Sequence, residues 1–188
     1  MDDPHTRMFL EDGRNVLLTS REPAYDLITI EVTNVWFAGS TNLYSKEFYE
    51  LARKRLRPDG VLQQWVQLHH IGPHEVAAAL ATARAVFPYV GLWVRGKQGM
   101  MVASACPLVL EEARRPELAR RFRSPALVDE LYGSVLVSPV GLTRLLRDLH
   151  PVINTDHNRW LEYATPRYQS SSFDWLLYNF RLFSQYRR

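Results

Sequence analysis

Residues Tyr25–Ile30 (YDLITI) set the strongest constraint on the fold. They are nearly continuous in large apolar and β-branched side chains instead of alternating, the pattern of a strand covered on both faces in a parallel sheet. A parallel neighbour has to be reached by a crossover, and the chain supplies one. Ser45 stands where it can cap a helix whose apolar residues Phe48, Leu51, Ala52 and Leu56 recur at three- and four-residue steps. Lys46, Glu47, Glu50, Arg53 and Lys54 fall on the wet side of that helix. Pro58-Asp59-Gly60 ends it as a turn, and residues 61–66 read as the next buried strand. Gly72-Pro73 opens a second amphipathic helix that runs to Phe87. Residues 90–95 and 99–104 flank Gly96-Lys97-Gln98, which predicts a β-hairpin closing the sheet's edge. Upstream, residues 7–10 read as a short strand and Val16-Leu17-Leu18 as the start of a short helix. The series is that of an open α/β sheet ending in an antiparallel pair.

Past Pro107 the texture changes. Residues 108–132 and 138–149 are helix-like with Arg-rich faces, 151–168 read as coil, and 172–186 as a strongly aromatic final helix. The expected organisation is therefore a partial α/β domain over residues 1–106 and a mainly helical extension over 107–188 packing on it. At 188 residues and 46% apolar composition, the chain suits one domain or a domain with an appendage. A formal net charge of +3 is too small to argue for nucleic acid, and Glu111, Glu112 and Glu117 interleave the run of Arg114, Arg115, Arg120, Arg121 and Arg123 as on a solvated helix face. A single cysteine, Cys106, excludes an intramolecular disulfide framework and a cysteine-rich zinc site, and fits a reducing compartment. Met1-Asp2-Asp3-Pro4-His5 is acidic where a signal peptide is basic, and the longest apolar stretch, residues 76–87, is too short to cross a bilayer. The expectation is a cytoplasmic protein with no membrane or nucleic-acid partner. His70 and His74 have helical spacing but no accompanying carboxylates, so no metal site is expected.

In open α/β sheets ligands bind beyond the carboxyl ends of the strands, which directs attention to residues 11–15, 31–39 and 63–70. Asp12-Gly13 offers a carboxylate and close backbone approach within one turn, as a ribose or an amino-substituted ring requires; it is also an ordinary turn sequence. Glu31 places a carboxylate at a strand end, followed by Asn34 and the bulky pair Trp36-Phe37. A site for an amine nucleophile needs a carboxylate to orient the amine and accept its proton, with aromatic walls around its aliphatic part. A strand-terminal Glu that caps the next helix or pairs with Arg is the alternative.

Several runs in order resemble the spermidine synthase family. They are Asp12-Gly13-Arg14-Asn15; Tyr25-Asp26-Leu27-Ile28 through Asn34-Val35-Trp36-Phe37-Ala38-Gly39; Glu47-Phe48-Tyr49 through Leu56-Arg57-Pro58-Asp59-Gly60-Val61; and Asn154-Thr155-Asp156 with Leu161-Glu162-Tyr163. More narrowly they resemble its bacterial branch often found fused behind a transporter-like region. The resemblance implies a Rossmann-like, methyltransferase-type open sheet, with the family's N-terminal strands missing, ending in an antiparallel hairpin and followed by C-terminal helices. It implies transfer of an aminopropyl group from decarboxylated S-adenosylmethionine to a polyamine amine, without a metal. By position, Asp12, Gly13 and Arg14 match the loop that contacts the nucleoside. Glu31 stands at the catalytic Asp and Asn34 at a second Asp. Trp36, Tyr44 and Gln64 (or Gln67) border the substrate pocket.

The family pattern also calls for a first strand with a glycine-rich loop and a second strand ending in a ribose-binding acid, and neither occurs in these 188 residues. Asn34 moreover removes a negative charge facing a cationic amine. Impaired aminopropyl transfer is one expectation. A non-catalytic interaction subunit, working through the exposed sheet edge and the aromatic C-terminal helix, is another. A methyltransferase using S-adenosylmethionine on a different acceptor is a third. With its neighbours absent, the Tyr25–Ile30 strand would carry an unpaired apolar edge, so a homo-oligomer or a partner chain is expected to cover it.

Overall fold

Five strands form one sheet in the computed structural model, which describes residues 4–20, 25–32, 35, 37 and 39–187. They are β1 (Tyr25–Ile30), β2 (Leu56–Val66), β3 (Tyr89–Arg95), β4 (Gln98–Ser104) and β5 (Val135–Val137), in the spatial order β1-β2-β4-β3-β5. β1 and β2 are parallel and every other neighbouring pair is antiparallel. The parallel pair is joined by α2 (Lys46–Arg55), which Ser45 caps by accepting from the Phe48 N–H at 3.2 Å. α3 (Pro73–Arg84) connects β2 to β3, and Gly96, with φ +60°, turns the β3–β4 hairpin. This is the α/β, methyltransferase-type architecture predicted from the sequence, with β5 added outside the hairpin at the far edge.

β2 begins at Leu56, directly after α2, and not at Val61. Tyr25 faces Leu56 while Leu27 faces Val61, so residues 57–60 are looped out of register opposite Asp26. The expected Pro58-Asp59-Gly60 turn thus survives as an irregularity inside the strand. Gly60 is required there: a Cβ would lie 3.0 Å from both the Arg57 and the Tyr25 carbonyl oxygens. Arg57 Nη1 closes the loop on Asp26 Oδ1 at 2.7 Å.

α3 departs from the predicted amphipathic helix, being buried on every side from Glu75 through Ala83. Five of its residues there are Ala77, Ala78, Ala79, Ala81 and Ala83, whose small side chains let the sheet approach from one side and other helices from the rest. Those neighbours are α2, α6 (Pro139–Leu149) and α7 (Trp160–Ala164). α7, and the 3-10 turn Thr165–Tyr168 after it, correct the reading of residues 151–168 as coil. Buried Asn154 fastens that stretch: its Nδ2 donates to the Tyr44 carbonyl at 3.1 Å, its Oδ1 accepts from the Leu161 N–H at 3.0 Å, and its own N–H donates to Thr82 Oγ1 at 2.9 Å.

Residues 7–10 are not a strand, and Met8, Phe9 and Leu10 are exposed. An extended segment needs a hydrogen-bonded neighbour to become a strand, and the sheet offers none there. The next helix, α1 (Gly13–Thr19), packs beside α2, with Arg55 Nε donating to the Leu17 carbonyl at 2.7 Å at its carboxyl end. The helical hairpin α4 (Arg115–Phe122) and α5 (Pro125–Gly133) lies beyond β4, and α8 (Trp175–Phe183) buries Asn179 and Phe183 near β5. No helix among the described residues is long and apolar enough to cross a membrane.

Candidate active site

β1 delivers Glu31 to its carboxyl end, where the backbone leaves the sheet. The carboxylate is exposed and makes no hydrogen bond or ion pair among the described residues. Among the described residues it neither caps a helix nor pairs with an Arg, which leaves its oxygens as proton acceptors there. It borders an open concavity of about 400 Å³ together with Gly13, Leu17, Ile28, Ile30 and Leu43. The hydrophobic walls come from the strand, from α1 and from the 3-10 turn Ser40–Tyr44.

Gly13 opens α1, and a Cβ on it would meet nothing within 4 Å, so its backbone faces open space. The preceding Asp12 caps the helix, its Oδ1 accepting from the Arg14 N–H at 2.8 Å and the Asn15 N–H at 3.0 Å. Its Oδ2 takes no hydrogen bond among the described residues. One carboxylate oxygen is therefore structural and the other unspent.

Arg14 is differently employed. Its guanidinium forms a bidentate pair with Asp156, with Nη1 to Oδ1 at 3.0 Å, and Nη1 also donates to the Asn42 carbonyl at 3.2 Å. The Arg14 hydrogen bond, first, and the guanidinium charge hold the Asp156 carboxyl below the usual range against the opposing effect of burial. Arg14 thereby ties α1 to the segment before α7 instead of offering its charge to the concavity.

Tyr44 and Gln64 also sit apart from the open space. Tyr44 is buried and donates to the Trp65 carbonyl at 2.6 Å, and burial drives its phenol pKa well up. Gln64 is buried as well, its Oε1 accepting from the Tyr49 hydroxyl at 2.8 Å and its Nε2 donating to the Leu43 carbonyl at 3.0 Å. With their polar atoms paired inside the core, these side chains brace the wall that Leu43 presents. Gln67, also buried, donates to the His69 carbonyl. Asn34 and Trp36 lie outside the described residues. The structure thus brings Gly13 and Glu31 to one concavity, places Asp12 beside it, and keeps Arg14, Tyr44 and Gln64 bonded within the protein. Leu17, read only as part of a helix start, and Leu43 were not among the site residues expected from the sequence. Among the described residues no three His, Cys, Asp or Glu side chains are grouped to hold a metal ion.

Comparison with known proteins bears on the family and the fold. The family model described as the spermine/spermidine synthase domain matches residues 1–95. Polyamine aminopropyltransferase 2 of Pseudomonas aeruginosa is 39% identical over 92 residues, covering 47% of this chain and 26% of that protein. The polyamine aminopropyltransferase of Nitrosomonas europaea is 29% identical over 166 residues, 82% of this chain and 47% of the relative. The chain therefore spans half or less of the length of these curated relatives. A probable spermidine synthase from Corynebacterium glutamicum shares the fold with a TM-score of 0.55 and 18% identity, over 78% of this chain and 52% of that one. On a family-model match across just over half its length, this chain belongs to the spermine/spermidine synthase family.

Proposed function

We propose that the concavity between α1 and the carboxyl end of β1 is part of a site for aminopropyl transfer from decarboxylated S-adenosylmethionine to a polyamine amine. The observation that carries this is the unpaired Glu31 carboxylate sharing one concavity with the exposed backbone of Gly13. In such a reaction the amine lone pair attacks the methylene carbon bound to the sulfonium. The carbon–sulfur bond breaks, methylthioadenosine leaves with the electron pair, and the new ammonium gives up a proton. In this reading Glu31 orients the amine and takes that proton. Asp12 Oδ2 and the Gly13 backbone would meet the nucleoside in this reading.

Calorimetric titration of the purified chain with methylthioadenosine tests the nucleoside part. Micromolar affinity, about −8 kcal/mol, is expected, and no detectable binding would remove Asp12 and Gly13 from that role. Glu31→Gln tests the amine part: transfer should fall roughly 10²-fold while methylthioadenosine still binds, and unchanged turnover would exclude Glu31 as the base.

One observation favours a second reading, that of an interaction subunit. Among the described residues β1 has a single neighbour in the sheet, and Leu27 on it is 56% exposed. A partner chain or a second copy covering this edge would serve either reading.

A further inference from the structure

The wall that Leu43 gives to the Glu31 concavity is a single 3-10 turn, Ser40–Tyr44. A turn this short cannot satisfy its own carbonyls, and four in succession are taken by side chains. The Asn42 carbonyl accepts from Arg14 Nη1 at 3.2 Å and from Ser45 Oγ at 3.1 Å, and the Leu43 carbonyl accepts from Gln64 Nε2 at 3.0 Å. The carbonyls on either side of that pair, of Thr41 and Tyr44, both accept from one group, Asn154 Nδ2, at 3.4 and 3.1 Å. Asn154 therefore holds the turn at both flanks of the segment that carries Leu43.

Asn154 is itself fixed by three elements. It is buried; its Oδ1 accepts from the Leu161 N–H at 3.0 Å at the start of α7, its N–H donates to Thr82 Oγ1 at 2.9 Å on α3, and its carbonyl accepts from the Lys46 N–H at 2.9 Å at the start of α2. Swinging Leu43 away from the concavity would strip the buried residues Thr41 and Tyr44 of the same donor together, and an unpaired buried carbonyl carries its full desolvation cost. The wall thus stands in place before a ligand arrives, which spares binding the cost of ordering it. Aspartate at this position could keep the contact with Leu161 but has no N–H to give, and would set a carboxylate against two carbonyl oxygens.

We propose that Asn154 is a positioning residue of the Glu31 site: through the turn it fixes Leu43 against the concavity and so sets how tightly the site holds methylthioadenosine. The inference rests on the reading of that concavity as part of an aminopropyl-transfer site. The test is a double-variant cycle read by calorimetric titration of the full chain with methylthioadenosine. Leu43→Ala and Asn154→Asp should each weaken binding about tenfold, the size expected for one lost apolar contact, and the double variant should bind as weakly as either alone. A purely structural role would lower the stability of Asn154→Asp to urea and leave the affinity of its folded molecules unchanged. Hydrogen exchange of the wild-type chain needs no variant to fold. The Asn42 amide, bonded to the Gly39 carbonyl at 3.1 Å, and the Leu161 amide on Asn154 Oδ1 should exchange through openings of equal free energy. Unchanged affinity in Asn154→Asp, losses that add in the double variant, or an Asn42 amide that opens well below Leu161 would each overturn the proposal and leave the reading of the site in place. A wild-type chain that does not bind methylthioadenosine would overturn the nucleoside part of that reading, and this proposal with it.

Discussion

Arg14 and Asp156 are separated by 142 positions and joined by a bidentate pair, and this contact decides what the first turn of α1 can do. The carboxyl of Asp156 titrates lower in the folded chain than in the unfolded one, because Arg14 bonds its charged form. A depressed carboxylate contributes stability that is present above the unfolded pKa, near 4, and is lost as the pH falls through the folded value. Asp156→Asn should therefore lower stability by about 1 kcal/mol at neutral pH, a figure kept small because the pair is partly exposed and screened. The gap between variant and wild type should narrow as the pH falls below about 4 and close only below the lower, folded value, where Asp156 is neutral as Asn is. Urea unfolding at pH 7 and pH 3 checks this, and an equal gap at both values would mean that packing, not charge, is what Asp156 supplies. The same residues show what a sequence can reveal of a site. That Asp12 and Gly13 emerge at a helix start and Glu31 at a strand end was legible, because a turn and a strand end fix those places. Tyr44 and Gln64 were not, since their hydroxyl and amide are taken by Trp65, Tyr49 and Leu43, partners set by packing between α2, β2 and the turn before it. Nothing local to Arg14 announces a partner so far along the chain.

Among the elements, α3 carries the most consequence. Periodicity identified it as a helix, but periodicity describes only the helix itself and not what lies on its outer face. That face is covered by α6 and α7, drawn from residues more than fifty positions downstream, and by Asn154 bonded to Thr82. Ala78 is fully buried within this sandwich. Ala78→Leu should cost about 1–3 kcal/mol through overpacking, where the same change on a half-exposed helix would be close to neutral. Thermal unfolding measures the difference, and a neutral result would restore the amphipathic reading. The β1–α2–β2 crossover and the β3–β4 hairpin were legible in advance because each is decided by local pattern and turn chemistry. β5 was missed for the opposite reason: three residues are too few to show a period, and Val135–Val137 is a strand because β3 lies beside it.

In the molecule as a whole, the outer edge of β1 pairs with no other strand among the described residues. A six-residue strand with one neighbour presents unpaired N–H and C=O groups along its outer side, and edges of this kind are commonly blunted by charges, bulges or a covering element. β1 has weak defences. The looped-out residues 57–60 lie on the β2 side, Asp26 is engaged by Arg57 on that same side, and Leu27 adds an exposed apolar surface. Phe37, a few residues along, is also exposed. Backbone groups and apolar area pointing outward together favour pairing with another chain. The expected behaviour is self-association that rises with concentration, seen as an increasing weight-average mass in light scattering behind a sizing column. Leu27→Lys, which places a charge on the edge while leaving Val61 and the β1–β2 pairing in register, should shift the population towards monomer at every concentration. If the wild-type chain stays monomeric throughout with an intact circular dichroism spectrum, the edge is not an association surface. The interaction-subunit reading would then lose its support, while the amine chemistry at Glu31 would stand or fall on its own test.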